Sequence, residues 1–158
     1  MSEKHTISCL VENHFGVLAR VSNLISARGF NIDSLTVSTT EDPTISRMTI
    51  VVDADATKLE QVKNQLNRLI DVIEVKELRE GEFIDREILL ARVKANGQTA
   101  AELEAIAKRF GARVADRTDH AVVIEAVGDT KMLDQLVEQL RPHGITKLVR
   151  TGRVALEK

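Results

Sequence analysis

The spacing of apolar residues in this chain switches between two periods in one order, and it does so twice. Ile7, Cys9 and Val11 alternate with Ser8, Leu10 and Glu12, the period of a strand. The alternation breaks at Asn13-His14-Phe15-Gly16, a short polar turn. From there Val17, Leu18, Val21, Leu24, Ile25 and Arg28 recur at helical spacing, and Gly29 is placed to close the helix in the left-handed conformation that glycine adopts without steric cost. A second strand is predicted over Asn31–Thr39, a turn at Glu41-Asp42-Pro43-Thr44, and a third strand over about Ser46–Asp53. Thr57-Lys58-Leu59-Glu60 fits a capping box opening a helix striped with Leu59, Val62, Leu66, Leu69 and Ile70. Val72–Glu77 makes a fourth strand. The order is β-α-β-β-α-β, the ferredoxin-like unit.

The order then recurs. Arg86–Val93 reads as a strand and Asn96-Gly97 as a turn. Thr99-Ala100-Ala101-Glu102 fits a second capping box, ahead of a helix with Leu103, Ile106, Ala107 and Phe110 on one side and Gly111 at its end. Strands follow near Arg113–Asp116 and Ala121–Val127. A helix marked by Met132, Leu133, Leu136, Val137 and Leu140 stops at Pro142 and Gly144, and Ile145–Arg150 gives the last strand. The predicted fold class is α+β, two ferredoxin-like units in tandem. The boundaries fall at 4–78 and 85–158, with the charged stretch 79–84 between them. Each unit, at roughly 75 residues, buries little surface alone, and its helices cover one sheet face. The other face and the edge strands call for partners, most simply in a homodimer.

Composition narrows the function. In 158 residues, Lys+Arg 22 against Asp+Glu 24 gives a net charge of -2, which argues against a dedicated nucleic-acid binder. The first unit shares its strand order with RNA-recognition modules, which stack bases on aromatics of the central strands. Here those strands read Ile7-Ser8-Cys9-Leu10-Val11 and Arg47-Met48-Thr49-Ile50-Val51. Cys9 is the only cysteine, so there is no intrachain disulfide and no thiolate cage; a reducing cytoplasm is the natural location. Met1–Thr6 runs into a strand pattern without a signal-peptide stretch, and no apolar run approaches the roughly 20 residues that cross a bilayer.

No catalytic constellation is found. His5, His14, His120 and His143 lack HExxH spacing, so no metal site is assigned, and neither a GxSxG elbow nor a glycine-rich phosphate loop is present. What remains is the turn Glu12–Leu18, between a strand and a helix N-terminus. There the first backbone N–H groups lack intrahelical partners and the helix dipole is positive. Such an end accepts a carboxylate, and Gly16 lets a ligand approach the backbone. The same residues equally suit a plain turn, Asn13 capping the helix and Gly16 relieving the bend.

Three stretches carry a resemblance: Glu12-Asn13-x-x-Gly16-Val17-Leu18-x-Arg20, Arg28-Gly29-Phe30-Asn31-Ile32-x-Ser34-Leu35-Thr36-Val37, and Asp42-Pro43-Thr44-Ile45-Ser46-Arg47-Met48-Thr49. They closely resemble the regulatory small subunit of acetolactate synthase (acetohydroxyacid synthase), whose first unit is an ACT domain. Asp71-Val72, Arg86-Glu87, Gly144-Ile145 and Arg150-Thr151-Gly152 extend the likeness over nearly the whole chain.

The resemblance implies a non-catalytic partner of a large catalytic subunit that carries thiamine diphosphate, Mg and FAD and serves valine, leucine and isoleucine synthesis. It implies activation of that subunit and feedback inhibition by a branched-chain amino acid, typically valine. The effector site it implies lies between two ACT units. Asn13, His14, Phe15, Gly16, Val17 and Leu18 come from one chain, Asn31 and Ile32 from the other. A stand-alone ACT-type amino-acid sensor would share the turn and Asn31 but has no reason to carry the second unit. A small enzyme on this scaffold would need convergent polar side chains that are not found.

Overall fold

The computed structural model describes residues 3–158; Met1 and Ser2, the head of the predicted opening stretch, lie outside the described residues. The chain forms two compact units. One runs to Ile84 and takes in Arg153–Lys158; the other is Asp85–Gly152.

In the first unit β1 (Glu3–Glu12), α1 (Val17–Ala27), β2 (Ile32–Thr39), β3 (Ile45–Ala54), α2 (Ala56–Asn67) and β4 (Val72–Leu78) follow in chain order. The sheet is antiparallel with order β2-β3-β1-β4. Alternation along the two central strands turns Ile7, Cys9 and Val11 of β1 and Met48, Ile50 and Val52 of β3 toward the helices. There Val21, Ile25, Val62 and Leu66 meet them in a core closed to water. Burial pushes the Cys9 thiol up to about 12, so it stays a small apolar filler with no thiolate chemistry.

The second unit repeats the plan. It comprises β5 (Phe83–Lys94, whose first two residues belong to the first unit), α3 (Thr99–Arg109), β6 (Arg113–Arg117), β7 (Ala121–Gly128), α4 (Thr130–Leu140), a 3-10 turn (Arg141–His143) and β8 (Ile145–Arg150). Its strand order β6-β7-β5-β8 is the arrangement of the first sheet. The fold is therefore α+β with two ferredoxin-like units in tandem. No helix among the described residues is long and apolar enough to cross a membrane.

The helix starts differ from the predicted capping boxes. The N-cap of α2 is Asp55, whose carboxylate accepts the Lys58 N–H at 2.9 Å, two residues ahead of Thr57; Glu60 pairs with Lys63 instead. At α3 the Asn96 side-chain oxygen accepts the N–H groups of both Gln98 and Thr99, at 2.9 Å each. In both cases a short carbonyl-bearing side chain just upstream reaches the free N–H groups before the Thr and Glu can exchange bonds. Gly29 follows the end of α1 with φ +76, as its predicted role requires.

The largest departure is at the end of the chain. A ninth strand, β9 (Val154–Glu157), pairs with β5, and the Lys158 N–H donates to the Glu82 carbonyl. These residues belong to the first unit, whereas the sequence division assigned them to 85–158. Arg153 donates to Thr6 Oγ1 at 2.6 Å and its carbonyl accepts from Thr36 Oγ1 at 2.7 Å; Glu157 meets Lys76 at 3.1 Å. Thr6, Ser8 and Thr49, on the sheet face away from the helices, are buried. Val154 and Ala155 join Thr36, Arg47 and Thr49 around a pocket of about 270 Å³ on that face. The face expected to need another molecule is thus partly covered by the chain's own last residues.

Candidate effector site

The turn between β1 and α1 is built by residues that the strands deliver to one end of the sheet. β1 ends at Glu12, opposite Ile45 at the start of β3. The Glu12 N–H donates to the Asp71 carbonyl and the Asn13 N–H to the Thr44 carbonyl, both at 2.8 Å. Asn13 Nδ2 donates to the Pro43 carbonyl at 2.9 Å. So Asn13 staples the turn to the β2–β3 loop and does not cap α1. That loop is itself held by Asp42, which accepts from Thr44 Oγ1 at 2.7 Å and from the Thr44 N–H at 2.9 Å; these bonds hold its carboxyl below the ordinary range.

The N-cap of α1 is Gly16, at φ +82, and no side chain caps this end. A Cβ added there would lie 3.3 Å from Arg20 Nη1, so both conformation and space call for glycine. The first N–H groups of α1, those of Val17 and Leu18 among them, have no intrahelical partner and point toward the turn. Val17 is buried in the core, so it offers a ligand only its main chain, whereas Leu18 is half exposed.

Beneath the turn sits a charged network that the sequence reading left out. Asp71 is buried; its Oδ2 accepts from Arg20 Nε at 2.8 Å and lies 2.6 Å from Arg20 Nη2. Its Oδ1 lies 2.9 Å from His14 Nε2, which is also 3.1 Å from Glu12 Oε2. The His14 pKa is raised, first through the hydrogen bond between its ring and the Phe15 carbonyl, then through Glu12, against an opposing cost of desolvation. Glu12, His14 and Asp71 offer three metal-capable donor atoms within 4.8 Å of one another. The guanidinium on Asp71 supplies the positive charge that a cation would bring. Arg20 and Asp71 both stand in the stretches quoted for the resemblance; the signal was present, but only the fold shows that they meet.

Asn31 and Ile32 are not brought to the turn. Ile32 is opposite Val52, at the far end of β3 from Ile45, about 23 Å away at ~3.3 Å per residue. Asn31 is exposed, Ile32 packs partly on the core, and β2 is an edge strand of the sheet. Within one chain the eight predicted residues form two groups, Asn13 through Leu18 and Asn31 with Ile32.

A ferredoxin-like unit with a glycine-capped, uncapped-by-side-chain helix start after its first strand, followed by a second such unit, is the build of an ACT-type regulatory protein. Residues 7–74 match the family model described as the acetohydroxyacid synthase small subunit-like ACT domain, and residues 86–158 that described as the small subunit of acetolactate synthase. The acetolactate synthase small subunit of Mycobacterium leprae is 45% identical over 154 residues, covering 98% of this chain and 91% of its own length. That of Mycolicibacterium smegmatis is 43% identical with the same coverage. The crystal structure of the acetolactate synthase small subunit from Thermotoga maritima superposes with a TM-score of 0.89 at 30% identity, covering 99% of this chain and 98% of that one. The chain belongs to the acetolactate synthase small-subunit family, and its first unit is an ACT domain.

Proposed function

We propose that this chain is the regulatory partner of a thiamine-diphosphate-dependent acetolactate synthase catalytic subunit, raising its activity and making it sensitive to a branched-chain amino acid, valine in the first instance. The observation that carries the reading is the separation of Asn31 from the turn. Pairing of two β2 edges antiparallel about a two-fold axis carries Asn31 of the partner subunit toward the end of the sheet where Asn13–Leu18 lie. Two complete effector sites then form at the seam of a homodimer.

In each site the amino acid's carboxylate lies on the N–H groups of Phe15 through Leu18, favoured by the helix dipole. Its ammonium meets the side-chain oxygen of Asn31, and its branched side chain packs on Leu18 and Ile32. Because the ligand touches both protomers, it binds one dimer arrangement better than another. That difference shifts the catalytic partner's equilibrium by about 1–3 kcal/mol, a usual size for such coupling. The test is co-purification with the catalytic subunit from the same source, in the cytoplasmic fraction, followed by an acetolactate assay. Association, activation and valine-sensitive activity support the reading; a catalytic subunit indifferent to this chain overturns it.

A further inference from the structure

Along β3 the residues that face away from the helices are Arg47, Thr49 and Val51, and the register sets Ser8 of β1 and Thr36 of β2 on either side of Thr49. Arg47 is half-buried. Its Nη1 donates to Ser8 Oγ at 2.8 Å, and among the described residues its guanidinium has no carboxylate partner. The lysines of the same face are answered, Lys4 by Asp33 at 3.0 Å and Lys76 by Glu157 at 3.1 Å and Glu74 at 3.5 Å. Arg47 keeps most of its N–H donors unused.

A second free donor stands beside it. Thr49 is 3% exposed, yet its hydroxyl has no hydrogen-bond partner among the described residues. Native folds keep few such groups. Among the described residues no side-chain polar atom sealed from water lacks a partner, so the Thr49 oxygen opens on the pocket of about 270 Å³ that it lines with Arg47. Thr36 Oγ1 is engaged by the Arg153 carbonyl at 2.7 Å, which pins Val154 and Ala155 over the pocket as an apolar wall.

We propose that this pocket binds a small aliphatic monocarboxylate. The carboxylate takes charge-assisted bonds from the Arg47 guanidinium, one of its oxygens accepts from the Thr49 hydroxyl, and the short hydrocarbon body lies against Val154 and Ala155. The volume falls just below the range of about 300–1,000 Å³ usual for drug-sized ligands, which suits a body of a few carbons. Glu41 sets the charge that fits. It lines the same pocket without pairing to Arg47, so it repels a second negative charge, and phosphate or a dicarboxylate fits poorly. The site goes beyond the effector reading above and does not depend on it, because the turn Asn13–Leu18 leads into α1, which packs on the opposite face of the sheet.

The test titrates the full, isotope-labelled chain with isovalerate and follows it by NMR. Expected are saturable shifts at Thr49, Val154 and Ala155. Thr49→Val keeps the side-chain shape and removes a hydroxyl without a partner, so melting should stay at or above the wild-type temperature while isovalerate affinity falls severalfold. Arg47→Gln should lower affinity by about tenfold or more. That variant also strands the Ser8 hydroxyl; if it fails to fold, Thr49→Val decides on its own. Inorganic phosphate should not compete with isovalerate in the wild type and should gain affinity in Glu41→Gln. Unmoved pocket resonances, or wild-type affinity in Thr49→Val, overturn the proposal. Phosphate that competes as well as isovalerate overturns the ligand class. Shifts confined to the N–H groups of Val17 and Leu18 place the carboxylate at the start of α1, which overturns the pocket and leaves the effector reading standing.

Discussion

Arg20 and Asp71 are 51 positions apart in sequence, yet the Arg20 Nε donates to Asp71 Oδ2 at 2.8 Å. The pair joins the first turn of α1 to the residue just before β4, under the loop that exposes the free helix N–H groups. Because Asp71 is buried and also holds His14, the loop is fixed from below by charge rather than by packing. A loop fixed in this way is preorganised for an anion, so little of the binding energy goes into ordering it. Replacing Asp71 by Asn leaves Arg20 half exposed and breaks both pairs. Stability should fall by about 1–3 kcal/mol, and valine affinity should fall with it. Urea denaturation and calorimetry on the same samples check the two effects.

Gly16→Asp places a carboxylate where the effector's own belongs and forces a Cβ toward Arg20. Valine binding should weaken by about 1.5–3 kcal/mol, the scale of a lost charge-assisted hydrogen bond, while activation of the catalytic subunit persists. Gly16→Ala carries the backbone strain without the charge, so a larger loss for Asp than for Ala isolates the electrostatic part. Equal calorimetric affinities in wild type and Gly16→Asp would reject the site.

Asn31→Ala removes the group assigned to the ammonium, again at a cost of about 1.5–3 kcal/mol in valine affinity. Since Asn31 is remote from the turn within one chain, a mixed dimer supplies a sharper test. One protomer carrying Gly16→Asp and the other Asn31→Ala should retain one intact site of two, and calorimetric stoichiometry reads it directly.

His14 titrates above its ordinary value near 6.5 when folded. A folded pKa above the unfolded one means that the folded state binds the proton more tightly. The stabilisation from protonated His14 is therefore complete below about pH 6.5 and is lost as pH rises through the folded pKa. Histidine proton shifts followed by NMR should place His14 above its ordinary value, and Glu12→Gln should lower it more than Asp71→Asn. An unmoved His14 resonance would remove it from the network.

In the second unit Arg150 reaches both the buried Glu87 on β5 and, at 2.5 Å, Asp134 on α4. Arg150→Met strands the Glu87 carboxylate away from water, a loss of about 3 kcal/mol in chemical denaturation. The double variant Arg150→Met with Glu87→Leu should recover most of it.

Periodicity made the four helices and eight of the strands legible, because alternation in β1 and the stripe in α1 are direct imprints of one buried face. Helix starts were less legible. Asp55 and Asn96 lie outside the windows that Thr57-x-x-Glu60 and Thr99-x-x-Glu102 define, and several side chains near a helix start compete for the same N–H groups. β9 escaped because four residues with only Ala155 buried carry almost no pattern. The candidate turn was visible through Gly16, which backbone conformation demands. Its support was not: nothing local ties Asp71 to Arg20 and His14, and only the sheet order β3-β1-β4 brings them together.

The cover over the buried Thr6, Ser8 and Thr49 is encoded after the whole second unit. During synthesis the N-terminal sheet therefore emerges and collapses long before Arg153 leaves the ribosome, at a pace of roughly 5–20 residues per second. For that interval, several seconds long, the nascent sheet has one face bare, a window in which a chaperone or a sister chain on the same message can reach it. Closure of the strap ends the window.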